Sequence, residues 1–197
     1  MAPVLTTERL TLRGWREDDL APFAELNADP AVMEHFPATL DRAASDALAT
    51  RITAGFAAHG FGLWAVETTA DRRFIGFTGL SVPGFHAPFL PGVEIGWRLA
   101  RGAWGHGYAT EAARRALRFG FHDAGLAEIL SFTATGNTRS QAVMRRIGMT
   151  HDSAADFDHP DLPEGHPLRR HVLYRATASS LGRPTQQGPD QQGPDQA

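Results

Sequence analysis

The chain has 197 residues, 42% hydrophobic and 21% charged, with a formal net charge of −3; this fits one soluble domain with a sizeable core. No broad positive field draws it to nucleic acid or anionic lipid, and no apolar run is long enough to span a bilayer. Cysteine and lysine are both absent, which excludes disulfides, a thiol nucleophile, a cysteine zinc site, a P-loop lysine and a Schiff base.

The opening MAPVLTTERL lacks the apolar core of a signal peptide, so the expected location is cytoplasmic. LTLRGW (10–15) alternates like a strand, and EDDLAPFAEL (17–26) reads as a helix opened by acidic residues. In DRAASDALATRITAGFAAHG (41–60), Ala44, Leu48, Ile52 and Phe56 fall four apart, a helical stripe ended by Gly60. FGLWAVET (61–68) and RFIGFTGLSV (73–82) form an expected hairpin over TADR. GVEIGWRLA (92–100) is a further strand. The stretch RGAWGHGYATEA (101–112) leads into a helix with Ala109, Ala112, Ala113, Ala116, Leu117 and Phe121 on one face. EILSFTAT (128–135) is a strand, NTRSQAVMRRIG (137–148) a short helix closed by Gly148, and HVLYRATA (171–178) the last strand.

The segment 179–197 repeats QQGPD in tandem and has no large apolar residue after Leu181, so it is expected to be disordered. Residues 4–178 then form one mixed α/β domain.

The glycine turn carries the most chemistry. The first N–H groups of a helix have no intrahelical partner, and the helix dipole adds positive character. Gly105 and Gly107 would let a bulky anion such as a pyrophosphate reach the backbone, and Ala109 stays small beside them. A tight turn with no ligand is the alternative from the glycines alone. A dinucleotide fingerprint would need glycine or alanine where Thr110 stands, and Glu128 precedes the strand whose end should carry the acid.

Taken together, EIGW before the turn, Trp104-Gly105-His106-Gly107-Tyr108-Ala109 in it, Asn137-Thr-Arg-Ser140 and Ile147-Gly148-Met149 after it resemble the GNAT acetyltransferases. The opening LTTERLTLRGWREDDL resembles the branch containing RimJ and RimL. The resemblance covers essentially the whole domain. It implies the GNAT fold, an α+β architecture: a central, mostly antiparallel twisted sheet with one parallel splayed strand pair, flanked by helices. It also implies acetyl-CoA as co-substrate, with no metal. The pyrophosphate would lie on the N–H groups of Trp104, Gly105, His106, Gly107, Tyr108 and Ala109. The pantetheine arm would run beside Ile95 and Trp97, with Asn137 bonding to it. Many GNATs carry arginine or glutamine where this chain has Trp104, a position that acts mainly through its backbone.

Acyl transfer to an amine needs a proton acceptor, a leaving thiolate and close positioning. Glu94 shares a strand face with Gly96, opposite Val93, Ile95 and Trp97, and is the candidate base; a structural carboxylate held by Arg98 or a backbone donor is the alternative. Asn137 is also an ordinary helix N-cap. Ser140, one turn on, is the candidate acid for the thiolate, or simply the third helical residue. His86, His159 and His166 are candidates to border the acceptor pocket, their spacing being poor for a metal. The expected acceptor is a primary amine, either a peptide N-terminus or a small molecule, with neither nucleic acid nor membrane as partner and a monomer or homodimer as the assembly. A non-catalytic acyl-CoA-binding module is the rival reading.

Overall fold

A computed structural model describes residues 2–179, so all but the first residue of the predicted tail lies outside the described residues. Thirteen elements of regular α and β structure follow one another: β1 (Leu5–Thr6), β2 (Leu10–Arg13), α1 (Leu20–Ala28), α2 (Arg42–His59), β3 (Leu63–Thr68), β4 (Phe74–Ser81), β5 (Glu94–Leu99), α3 (Tyr108–His122), β6 (Glu128–Ala134), α4 (Thr138–Arg146), β7 (Thr150–His151), β8 (Phe157–Asp158) and β9 (Arg170–Thr177). The strands form one sheet in the order β1-β2-β3-β4-β5-β6-β9-β7, with β8 also pairing with β9. Every pairing is antiparallel except that of β5 with β6. This is the mixed sheet with one parallel pair and flanking helices that the sequence led us to expect.

The chain reverses sense at β5 because α3 carries it back across the sheet, the crossover a parallel pair requires. The alanine stripe works as predicted: Ala112, Ala113, Ala116 and Leu117 are fully buried, so α3 lies close against Ile95, Trp64 and Leu12. On the opposite face, Phe23 of α1 meets Trp15, Phe74 and Phe77 edge-on or tilted, and Ile52 of α2 joins this second cluster.

Three expectations change. The stripe on α2 is rotated: Ser45 and Ala49 are buried with Ile52 and Phe56, while Ala44 is exposed, because Ser45 accepts a hydrogen bond from buried Asn27 of α1. The acidic run at 17–19 forms a separate 3₁₀ turn, and Asp19 turns inward to bind the buried Arg13 guanidinium at 2.7 and 2.8 Å. Finally, the stretch between α4 and β9 is not plain loop, since β7 and β8 pair in succession along the edge of β9.

Candidate active site

The glycine turn closes onto α3 as the spacing predicted. Gly105 and Gly107 have φ of 80° and 79°, a left-handed backbone that strains residues with a Cβ, and Gly107 is the N-cap of α3 with no capping side chain. A Cβ at Gly105 would meet nothing within 4 Å, and one at Gly107 only the tip of Arg9 at 3.6 Å. Among the described residues, nothing but the tip of Arg9 comes near the space beside these two Cα atoms. That is the cradle a pyrophosphate needs, so the residues present fit the group.

The cradle is braced by residues that the sequence did not single out. Arg9 Nη1 donates to the His106 carbonyl at 3.0 Å, and Arg9 Nε donates to Glu111 at 2.7 Å. Thr7 and the Arg9 backbone N–H also donate to Glu111. Burial works to raise the Glu111 carboxyl, but these hydrogen bonds outweigh it and hold the group below its ordinary value. Trp104 contributes its side chain and not the backbone N–H expected of it, which already donates to the Arg101 carbonyl at 3.1 Å. Its indole donates to the Leu99 carbonyl at 2.8 Å and lies under Arg139.

From the turn, a cleft of about 1470 Å³ runs along β5. Parallel pairing registers only at Glu94↔Leu130; beyond it the two strands separate. The Val93 carbonyl accepts from Leu130 N–H, and the Ile95 carbonyl accepts from the Ser131 hydroxyl at 2.9 Å, so both point toward β6. By the alternation of a strand, the backbone N–H and C=O of Trp97 point the same way, into the gap. The Ile95 side chain is buried in the core, which leaves its backbone as the part that borders the opening.

Glu94 lines the cleft, while its neighbour Ile95 is buried in the core under α3. No hydrogen bond or ion pair holds it among the described residues, and Arg98 turns away to donate to Asn27 at 2.6 Å. The reading of Glu94 as a carboxylate held by Arg98 therefore fails. Burial without a partner pushes its carboxyl up to about 8. A Cβ built at Gly96 would meet only Glu94 Oε1, at 3.9 Å, so the space beside the carboxyl is open.

Asn137 caps α4: its Oδ1 accepts from Ser140 N–H at 3.1 Å and its Nδ2 donates to Thr133 at 2.9 Å. Ser140 is thus the third residue of the helix. Its hydroxyl has no partner among the described residues, and it lines the same cleft. Tyr174 is buried against α4, where its hydroxyl accepts from Arg145.

At the other end of the cleft, an aromatic wall forms from Phe85, Phe132, His159 and His171, with ring centroids of His159 4.6 Å from Phe85 and 5.1 Å from His171. His159 lines the cleft, whereas His86 and His166 are not among the residues lining it. His171 takes their place. Its Nδ1–H donates to the Arg169 carbonyl at 3.0 Å, which leaves Nε2 as an acceptor. Burial lowers the pKa of both rings. The pairing of β8 with β9 places the His171 ring beside that of His159. The described residues contain no cluster of three or more metal-ligating side chains.

This architecture, a glycine cradle at a helix start beside a splayed parallel pair, defines an acyltransferase of the GNAT type. Residues 9–150 match the family model "Acetyltransferase (GNAT) domain", and the chain belongs to that family as an acetyltransferase. The chain is 34% identical over 157 residues to FsC-acetyl coenzyme A-N(2)-transacetylase of Aspergillus fumigatus, covering 76% of this chain and 66% of that protein. It is 31% identical over 146 residues to the uncharacterized protein YkkB of Bacillus subtilis, covering 74% and 84% of the two chains. Among solved structures it resembles an acetyltransferase from Agrobacterium tumefaciens, with a TM-score of 0.72, 29% identity and coverage of 89% and 95%. RimJ of Mycobacterium smegmatis, in complex with CoA-disulfide, shares the fold at 24% identity with a TM-score of 0.68, covering 88% of this chain and 84% of that one.

Proposed function

We propose that the chain transfers an acetyl group from acetyl-CoA to a primary amine by direct attack in a ternary complex. The observation that carries this reading is the continuous cleft joining the open glycine cradle, the splay beside Trp97 and the unpartnered Glu94 carboxyl. In this reading the N–H groups of residues 105–109 hold the pyrophosphate, and the backbone of Ile95 and Trp97 lies along the pantetheine arm. Asn137, its carbonyl oxygen engaged by the cap, keeps one amide hydrogen for that arm.

The amine nitrogen attacks the thioester carbonyl carbon; the C–N bond forms and the C–S bond breaks. Glu94, once ionised, accepts the amine proton, and the Ser140 hydroxyl passes a proton to the departing thiolate while taking one from solvent water, so no alkoxide is left. The RimJ and RimL resemblance favours a peptide N-terminus as acceptor over other amines. The relative named a transacetylase of acetyl coenzyme A supports the donor.

Release of free CoA thiol, measured with N-terminal peptides beside small amines, tests the reading. Amine-dependent release is expected. CoA binding without release from any amine would instead establish a non-catalytic CoA-binding module.

A further inference from the structure

Arg98 lines the cleft on the same face of β5 as Glu94 and Gly96, yet among the described residues no carboxylate answers its charge. Its Nη1 donates to the amide oxygen of Asn27, a fully buried residue whose own Nδ2 is engaged by Ser45. Its Nε is buried with no hydrogen-bond partner. The guanidinium lies 4.0 Å from the ring centroid of Phe36 and 5.4 Å from that of Phe77, two further cleft residues. Burial lowers its pKa to about 10, so it is still a cation at neutral pH. Arg9 and Arg139 also line the cleft and hold Glu111 and Glu34, while Arg114, Arg118 and Arg146, equally without a carboxylate among the described residues, are exposed to solvent as Arg98 is not.

A half-buried charge facing one neutral oxygen and two aromatic rings is costly unless a counter-charge completes it. An arginine fork is built to grip a carboxylate through its N–H donors; Nε is enclosed, and Nη2, which has no partner among the described residues, is the donor left for it. We infer that Arg98 is the anchor for a carboxylate on the acceptor, so that the acetylated amine belongs to a molecule carrying an acid group several bonds away. The inference rests on the transferase reading for the amine and adds the acid. Four residues of extended strand separate Glu94 from Arg98, about 13 Å between their Cα atoms, so the acceptor spans a gap that both side chains shorten. Phe36, partly exposed on the loop between α1 and α2, forms the apolar wall beside the acid.

Calorimetry of the CoA-loaded protein with matched ligands tests this: ω-aminoalkanoates and dipeptides, each compared with its own carboxamide. At least one acid is expected to bind about ten- to a hundredfold tighter than its amide. Arg98→Gln should erase that difference and Arg98→Lys keep part of it. A purely structural arginine would weaken acid and amide alike. No acid preference in the wild type, or one that survives Arg98→Gln, overturns the inference. So does a variant that loses CoA affinity instead, which would assign the anion to the coenzyme. Should Arg98→Gln fail to fold, the wild-type pairs and Arg98→Lys still decide. Thiol release with the same ligands separates the two ideas: acid-selective binding without release from any amine would leave the anion site standing and overturn the transferase reading.

Discussion

Glu94 was legible as a candidate because strand alternation alone sets it beside Gly96 and opposite the core face; its lack of a partner was not, since that depends on where Arg98 turns. The raised carboxyl changes what its removal should do. With a pKa near 8, the base form of Glu94 grows as pH rises through 8, so wild-type kcat/KM should climb across that range. Glu94→Gln should lose that limb and fall about 10²- to 10⁴-fold where the carboxylate is ionised. Initial rates from pH 6 to 9 check it; identical profiles remove Glu94 from the mechanism. The stability effect has the opposite sign. The unfolded chain releases the Glu94 proton near pH 4.5 and the folded one near 8, so the folded state loses relative stability as pH rises between these values. Glu94→Gln, which carries no charge, should melt higher than wild type at pH 8 and at nearly the same temperature at pH 4.5. Gly96 supplies a second handle. Its neighbourhood is empty apart from Glu94, so Gly96→Leu should fold normally yet lose most acetylation by filling the space beside the base. Wild-type rates in a folded Gly96→Leu protein would place the reacting groups elsewhere.

At the scale of elements, the amphipathic α3, the β3–β4 hairpin and the cap of α4 could all be read from spacing, because each is decided by residues close in sequence. The 3₁₀ turn at 17–19, the rotation of α2, and the short β7 and β8 could not. Asp19 looks like a helix-opening acid until Arg13 is found against it, and two-residue strands carry no periodicity to detect. The glycine turn is the element whose function depends most on backbone conformation. Valine at position 107 would combine a left-handed φ with a β-branched side chain, so loss of binding there would mix strain with blockage. Asparagine tolerates this backbone better and still projects a side chain over the cradle. Gly107→Asn is therefore expected to melt close to wild type while losing CoA affinity at least tenfold in a calorimetric titration; unchanged affinity would sink the cradle reading. For α4, Asn137→Ala should cost about 1 kcal/mol of stability through the lost cap. Ser140→Ala keeps that cap, whose donor is the backbone N–H, so a fall in kcat without loss of stability is the mark of a proton donor.

For the whole molecule, the sequence carried the architecture because the family's motifs sit at the junctions that dictate it: a strand, a glycine turn, a helix, a parallel return. What it did not carry were the long-range pairings that finish the site. Arg9 meets Glu111 across 102 positions, Arg98 meets Asn27 across 71, and His159 meets His171 only because β8 and β9 pair. These contacts join the N-terminal segment, α1 and the last strand around one cleft, so a ligand lying in it should tighten the molecule as a unit. A ligand that binds only the folded state stabilises by about 2.7 kcal/mol at a hundredfold excess over Kd. For a domain of this size each kcal/mol raises Tm by about 2–4 °C, so saturating CoA should raise it by about 5–10 °C. NAD at the same concentration should raise it little, because Thr110 stands where a dinucleotide fingerprint needs a small residue and no acid follows at the end of the next strand. Gly107→Asn should lose the CoA shift while keeping its own melting temperature. Thermal scans of both proteins with each nucleotide make the comparison, and a shift with NAD but none with CoA would refute the assignment of the cleft to a coenzyme A thioester.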